Sequence, residues 1–183
     1  MNRTKRGKPT TVVELLWSAY EKSIDCCNKA IEKLPEKDRE YFYIKKLELY
    51  VTMTDSNYNW FKERAEEVNN YAKYVLSLFP INKTVLKTAM ALYRIEGNSI
   101  KEQELLERAY SIDPNDFFLL ISKIVPLEKA DKFIEAIEIL EHWIITNGSS
   151  VYLDTAYLKM VDLFKKINNK EKENHYQDLL DNK

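Results

Sequence analysis

The segment KTVLKTAMALYRIEGNSIKEQELLERAYSIDPND, Lys83 to Asp116, supplies the ruler for the whole chain. Two prolines, Pro80 and Pro114, close successive helical segments and stand 34 residues apart. Proline ends a helix because it has no N–H to donate and its ring collides with the preceding turn. Between the two, Leu86, Ala89 and Tyr93 repeat at helical spacing, and so do Leu106 and Ala109. Gly97 marks the turn separating these two apolar faces.

A 34-residue helix–turn–helix unit with small and large apolar residues at these places resembles a tetratricopeptide (TPR) repeat. Two positions depart from the family pattern. Met90 stands where the family prefers Gly, and Glu102 where it prefers Ala. The larger side chains predict a wider spacing of the helix pair and an altered local curvature. A second unit begins at Phe117, with Leu120, Leu127, Ala136, Leu140 and Trp143 in the corresponding places and Asp131-Lys132-Phe133 at the turn.

Composition agrees with an all-helical chain. The 183 residues include only three glycines and five prolines, too few for the many tight turns of a sandwich or barrel. Charged residues make up 31% and apolar ones 45%, close to globular averages. The 28 basic and 29 acidic side chains leave a net charge of −1, without the basic excess of a general nucleic-acid binder. Cys26 and Cys27 are adjacent, lack CxxC spacing, and read as small half-buried thiols on a helix in a reducing compartment. The basic start is followed by an apolar run that Glu14 breaks at once, so no signal segment is expected. Without a run of about 20 apolar residues there is no membrane span to expect either. A cytoplasmic protein with neither a membrane nor a direct nucleic-acid partner follows.

Outward from the central unit, residues 1–9 carry Arg3, Lys5, Arg6 and Lys8 and are expected to form a disordered basic arm. A nuclear or nucleic-acid address is the sharper alternative for it. Residues 10–183 are expected to form a single TPR-like helical repeat domain. Thr11-x-x-Glu14 is a capping box opening a first helix, whose apolar residues run from Val12 through Leu15, Leu16, Ala19, Ile24 and Cys27 to Leu34 before Pro35. From Pro35 to Pro80 the gap is 45 residues, 11 more than the period. Ile44, Leu47 and Val51 place a helix start near Tyr41, and Thr54-Asp55-Ser56-Asn57 reads as a break. A lengthened helix then runs from Tyr58 to Leu78. Pro126 is expected to kink or end its helix, Gly148 to stop the next, and Ser149-Ser150 to cap the one after. A final pair covers Val151–Lys166 and Lys170–Leu180, its last helix polar enough to terminate an array.

The expected architecture is therefore an all-α, TPR-like α-solenoid of about nine helices: one leading helix and four antiparallel pairs in a right-handed curved array. An irregular helical bundle explains the periodicity outside the central unit nearly as well.

No catalytic constellation is present in the sequence. Glu138 with His142, and Glu171 with His175, stand four apart on helix faces, but catalytic zinc sites typically need three protein ligands. A cysteine nucleophile would need a histidine beside Cys26 or Cys27. There is no phosphate loop, HExxH or GxSxG. The chain is expected to be no enzyme and to need no cofactor.

The resemblance implies a concave face lined by the first helix of each pair. Carried onto this chain, that face comprises Phe42, Lys45 and Leu49; Thr84, Lys87, Ala91 and Arg94; Phe118, Ile121 and Val125; and Thr155, Leu158, Asp162 and Lys165. Chaperone-binding members of the family clamp a terminal carboxylate with Lys and Asn. Lys87 keeps the lysine, but Ala91 replaces the asparagine, so no such clamp is expected. A protein or peptide segment with apolar anchors and acidic residues suits the remaining surface. The alternative is that Phe118, Ile121 and Leu158 pack on a neighbouring helix. Aromatic residues from Tyr41 to Phe61 form a second candidate patch. WFKERA at Trp60–Ala65 and LERAY at Leu106–Tyr110 also resemble half-a-TPR scaffolds of RNA-processing complexes, whose members dimerise.

Overall fold

The computed structural model describes residues 11–182, so the basic segment 1–9 lies outside the described residues. Among those described there are nine α-helices and no strand: α1 Val12–Lys33, α2 Glu40–Ser56, α3 Tyr58–Leu78, α4 Lys83–Glu96, α5 Ser99–Ile112, α6 Phe117–Lys129, α7 Phe133–Thr146, α8 Leu153–Lys166 and α9 Lys170–Asp181. They divide into two compact units, Met1–Leu105 and Leu106–Lys183, with the division inside α5.

In the first unit α1 starts at the predicted capping box. The Thr11 N–H donates to the Glu14 carboxylate at 2.8 Å, and the Glu14 N–H donates to the Thr11 hydroxyl at 3.2 Å. Its apolar stripe divides in two. Cys27 is buried and Ile24 packs on the core, whereas Val12, Leu15 and Leu16 are 82%, 59% and 49% exposed. α2 packs against α1, α3 and α4. The core between α2, α3 and α4 is Leu47, Tyr50, Phe61, Val68, Ala72, Val75, Val85 and Leu92.

The four-residue break between α2 and α3 contracts to one residue. Thr54 and Ser56 stay helical because their hydroxyls donate to the carbonyls of Tyr50 and Thr52, one turn back, at 2.7 Å each. Asn57 alone has extended backbone, and its side-chain oxygen accepts from the N–H groups of Asn59 and Trp60 to cap α3.

Most of the aromatic residues between 41 and 61 are interior. Tyr50 and Phe61 are buried, and Tyr43 and Trp60 pack against the same core; Tyr41 and Tyr58 are exposed. Trp60 also lies 5.9 Å from Trp17 of α1, ring centre to ring centre.

The second unit has its own core. It joins Phe117, Leu120 and Ile124 of α6, Ala136, Leu140 and Trp143 of α7, Ala156, Met160 and Phe164 of α8, and Tyr176 of α9. Trp143 is 2% exposed, and its indole N–H donates to the carbonyl of Asn115 at 3.0 Å.

Three local expectations are revised here. Of the two outcomes expected at Pro126, an end to the helix does not occur: α6 continues through it to Lys129. Pro126 is exposed, and Ser122, whose carbonyl it leaves without a backbone donor, is half-buried. α8 begins at Leu153 with no side-chain cap; Ser150 instead accepts the Tyr152 N–H through its hydroxyl at 3.2 Å. At the end of α7 the stop is Asn147, whose amide donates to the Trp143 carbonyl at 3.0 Å, one residue before Gly148.

One turn is built three times. Gly97, Asp131 and Asn168 have positive φ of 76°, 56° and 56°. In each case the next N–H closes back five residues, Asn98 to the Tyr93 carbonyl (2.8 Å), Lys132 to Leu127 (2.9 Å) and Asn169 to Phe164 (3.0 Å). That bond satisfies a carbonyl at the end of the preceding helix. Gly97 and Asp131 stand one 34-residue period apart, as do the buried pairs Leu86 and Leu120, and Leu106 and Leu140. Of the two departures from the repeat pattern, Met90 is 6% exposed, and Glu102 sits at the edge, where its carboxylate accepts from Arg94 at 2.6 Å.

Candidate functional site

In the first unit the expected binding residues come together along α2. Phe42, Lys45, Leu49 and Thr52 recur at three- and four-residue steps, so they share one face of the helix. Two open clefts flank that face. One, of about 330 Å³, lies toward α1 and is lined by Lys22, Ser23, Cys26, Cys27, Tyr41, Phe42, Lys45 and Leu49. The other, of about 430 Å³, lies toward α4 and is lined by Lys45, Glu48, Leu49, Val51, Thr52, Lys87, Thr88 and Ala91. Lys45 and Leu49 belong to both, so the clefts adjoin across α2 as one trough.

The trough has an apolar floor and a positive rim. Phe42, Leu49, Val51 and Ala91 contribute the apolar atoms, and Lys22, Lys45 and Lys87 the cations. Glu48 is the acid among these residues. It holds the Lys45 ammonium at 3.0 Å, and that hydrogen bond together with its charge raises the lysine's pKa. Burial is the leading cause that raises the Cys27 thiol above its ordinary value, with the neighbouring Cys26 adding to it. Cys27 is thus held in its protonated, weakly nucleophilic form, while Cys26 is exposed on the cleft wall.

Of the other expected residues of this unit, Thr84 is exposed on α4. Arg94 is turned toward α5, where it pairs with Glu102 at 2.6 Å. The family resemblance implied Arg94 on the binding face but could not show that an acid eight residues later would engage it.

The second unit carries the remaining expected residues on α6 and α8. Phe118 and Leu158 are 57% and 55% exposed, while Ile121 packs on the core. Val125, Thr155, Asp162 and Lys165 are exposed. Phe118 meets Tyr152 edge-on at 5.3 Å, and Lys159 bridges α8 to Glu128 of α6 at 2.7 Å. Ile121 is therefore a packing residue of this unit, whereas Phe118 and Leu158 present apolar surface.

Where α2 meets α1 and α3 is a polar arrangement that sequence reading missed. Lys46 donates to Asn28 at 2.7 Å and sits over the rings of Tyr71 and Tyr50 at 4.3 and 5.4 Å. Burial lowers its pKa, opposed by the charge of Glu67. The Tyr50 hydroxyl donates to Glu67 at 2.6 Å. A lysine three residues after a core residue and one before the next (Tyr43, Leu47) is the signal that could have found it, since that spacing puts it at the core's edge.

Among the described residues no three His, Cys, Asp or Glu side chains cluster as a metal site would require. His142 and His175 are both exposed. No described helix is long and apolar enough to cross a membrane. Compared with protein families, curated proteins and solved structures, the chain finds no match in any of the three.

Proposed function

We propose that this chain is a non-catalytic, TPR-like adaptor that holds an extended protein segment in the trough formed by α1, α2 and α4. The observation that carries the proposal is the joining of two apolar clefts at Lys45 and Leu49 beneath three lysines. An extended segment can set alternate apolar side chains into such clefts while its acidic residues meet the lysines on the rim. The repeat reading draws support from three features. α2 packs on α4 as well as on its own partner α3, the Gly97 turn recurs at Asp131, and buried leucines stand one period apart. On this reading the four pairs form a solenoid, and the protein works in the cytoplasm.

The test is a peptide array carrying segments of about a dozen residues with Leu or Phe anchors, flanked by either acidic or basic residues. The full chain is expected to retain the acidic set. Lys45→Glu combined with Lys87→Glu is expected to abolish retention with helical circular dichroism unchanged, since both residues lie on the rim of the trough. Preference for the basic set, or capture that ignores the double reversal, refutes the proposal.

A further inference from the structure

The two clefts of the trough are offset as well as adjoining, and the offset limits what can fill both. The cleft toward α1 touches α2 from Tyr41 to Leu49, and the cleft toward α4 touches it from Lys45 to Thr52. The second is therefore shifted by three to four residues along the helix, roughly 5–6 Å at about 1.5 Å per residue. Crosswise, the clefts lie on the two flanks of α2, and packed helices stand roughly 8–10 Å apart. The two offsets combine to about 10–12 Å between the middles of the clefts.

Side chains on one face of an extended chain recur every second residue, about 6.6 Å apart. Residues two apart are too close together to occupy both clefts, and residues three apart point to opposite faces. The fourth residue, at about 13 Å, is the first on the same face that reaches from one cleft to the other. The residue midway also faces the protein, over Lys45 and Leu49, which both clefts share. Lys45 is suited to meet an acid there. Its side chain is 48% exposed and already holds one carboxylate, that of Glu48, at 3.0 Å. An ammonium has three N–H donors, so a second carboxylate can join without displacing the first. We infer that the trough selects extended segments in which two apolar residues stand four apart with an acidic residue midway, the acid meeting Lys45. This rests on the adaptor reading and adds the pattern that its partner must carry.

The test is fluorescence anisotropy of the full chain with labelled Ser/Gly peptides carrying two Leu anchors two, four, six or eight residues apart and Glu midway. The four-residue spacing is expected to bind about tenfold or more tighter than the others or than a single-Leu peptide, since it alone buries both leucines. Changing the central Glu to Gln should weaken binding to the parent about threefold and leave binding to Lys45→Gln unchanged. Cys26 is exposed on the cleft toward α1 while Cys27 is buried, so N-ethylmaleimide should fill that cleft through Cys26. The alkylated chain, its circular dichroism unchanged, should then bind the four-spaced peptide no better than the single-Leu one. Equal affinity at all spacings, lost in the chain carrying Lys45→Glu and Lys87→Glu, overturns the inference while the adaptor reading stands. A maximum at eight overturns it in favour of a helical occupant, which covers the same span in seven or eight residues. Binding of none of these peptides removes the adaptor reading and this inference together.

Discussion

Replacing Tyr50 by Phe should make the protein less stable at neutral pH and yet flatten its loss of stability in alkali. Tyr50 is 2% exposed, lies edge-on to Tyr71 at 5.4 Å and donates to the Glu67 carboxylate at 2.6 Å. Phenylalanine keeps the ring contacts and deletes the hydrogen bond. A bond to an ionised acceptor contributes about 1.5–3 kcal/mol, and Glu67, being exposed, regains water when it is lost. The net cost near pH 7 should therefore fall at about 1–2 kcal/mol. Burial first, and the Glu67 bond and charge second, push the Tyr50 phenol well above its ordinary value. A raised pKa contributes stability that is whole below the unfolded phenol value near 10 and is lost as pH climbs beyond it, at up to about 1.4 kcal/mol per pH unit. The variant lacks this loss, so the two proteins should converge near pH 11. Lys46, whose lowered pKa works in the opposite sense, is common to both and drops out of the difference. Urea unfolding followed by circular dichroism, at about pH 7 and in steps from about pH 9 to 11, measures the gap. A gap that stays constant across that range refutes the assignment of the buried proton to Tyr50.

Substitutions at three further positions probe a helix cap, a turn and a small buried residue. Asn57→Ala removes the acceptor for two N–H groups at the start of α3 and should cost about 1 kcal/mol in the same urea assay, while Asn57→Asp should cost little. At Gly97, where φ is 76° and an added Cβ would touch nothing within 4 Å, alanine should cost about 1–2 kcal/mol from backbone conformation alone. Asparagine there should cost less, as its presence at the Asn168 turn indicates. Ala89→Trp forces an indole into a fully buried position and should lower stability by roughly 1–3 kcal/mol or more, visible as a lower melting temperature.

Much of the fold was legible because period and punctuation agreed. The Lys83 start of α4 follows from the 34-residue register and Pro80 before it, and the bounds of α3 follow from the break ending at Asn57 and from Pro80. What failed were residues whose alternatives are nearly equal in energy. Thr54 and Ser56 read as turn formers, but inside a helix their hydroxyls find carbonyls just as well. Pro126 was expected to kink or end its helix; the helix does not end there, and the cost of a proline depends on whether the carbonyl it strands is wet or dry, which spacing does not encode. At the candidate site, the resemblance to the repeat family implied that Phe42, Lys45 and Leu49 share a binding face, and these three residues line one cleft. The sequence could not reveal that Arg94 is held by Glu102, or that the leading half of the α1 stripe is uncovered, because both depend on neighbours across the packing.

The tryptophans are divided so that each half of the chain has its own optical reporter. Trp17 and Trp60 lie together, their rings tilted by 34°, at the junction of α1 and α3, and Trp143 is sealed in the interior of the other half. With Trp143 changed to Phe, emission arises from the α1–α3 junction alone; with Trp17 and Trp60 changed instead, it arises from α7 alone. Occupancy of the trough and melting of either half could then be followed separately, by colour and quenching, without attaching a dye.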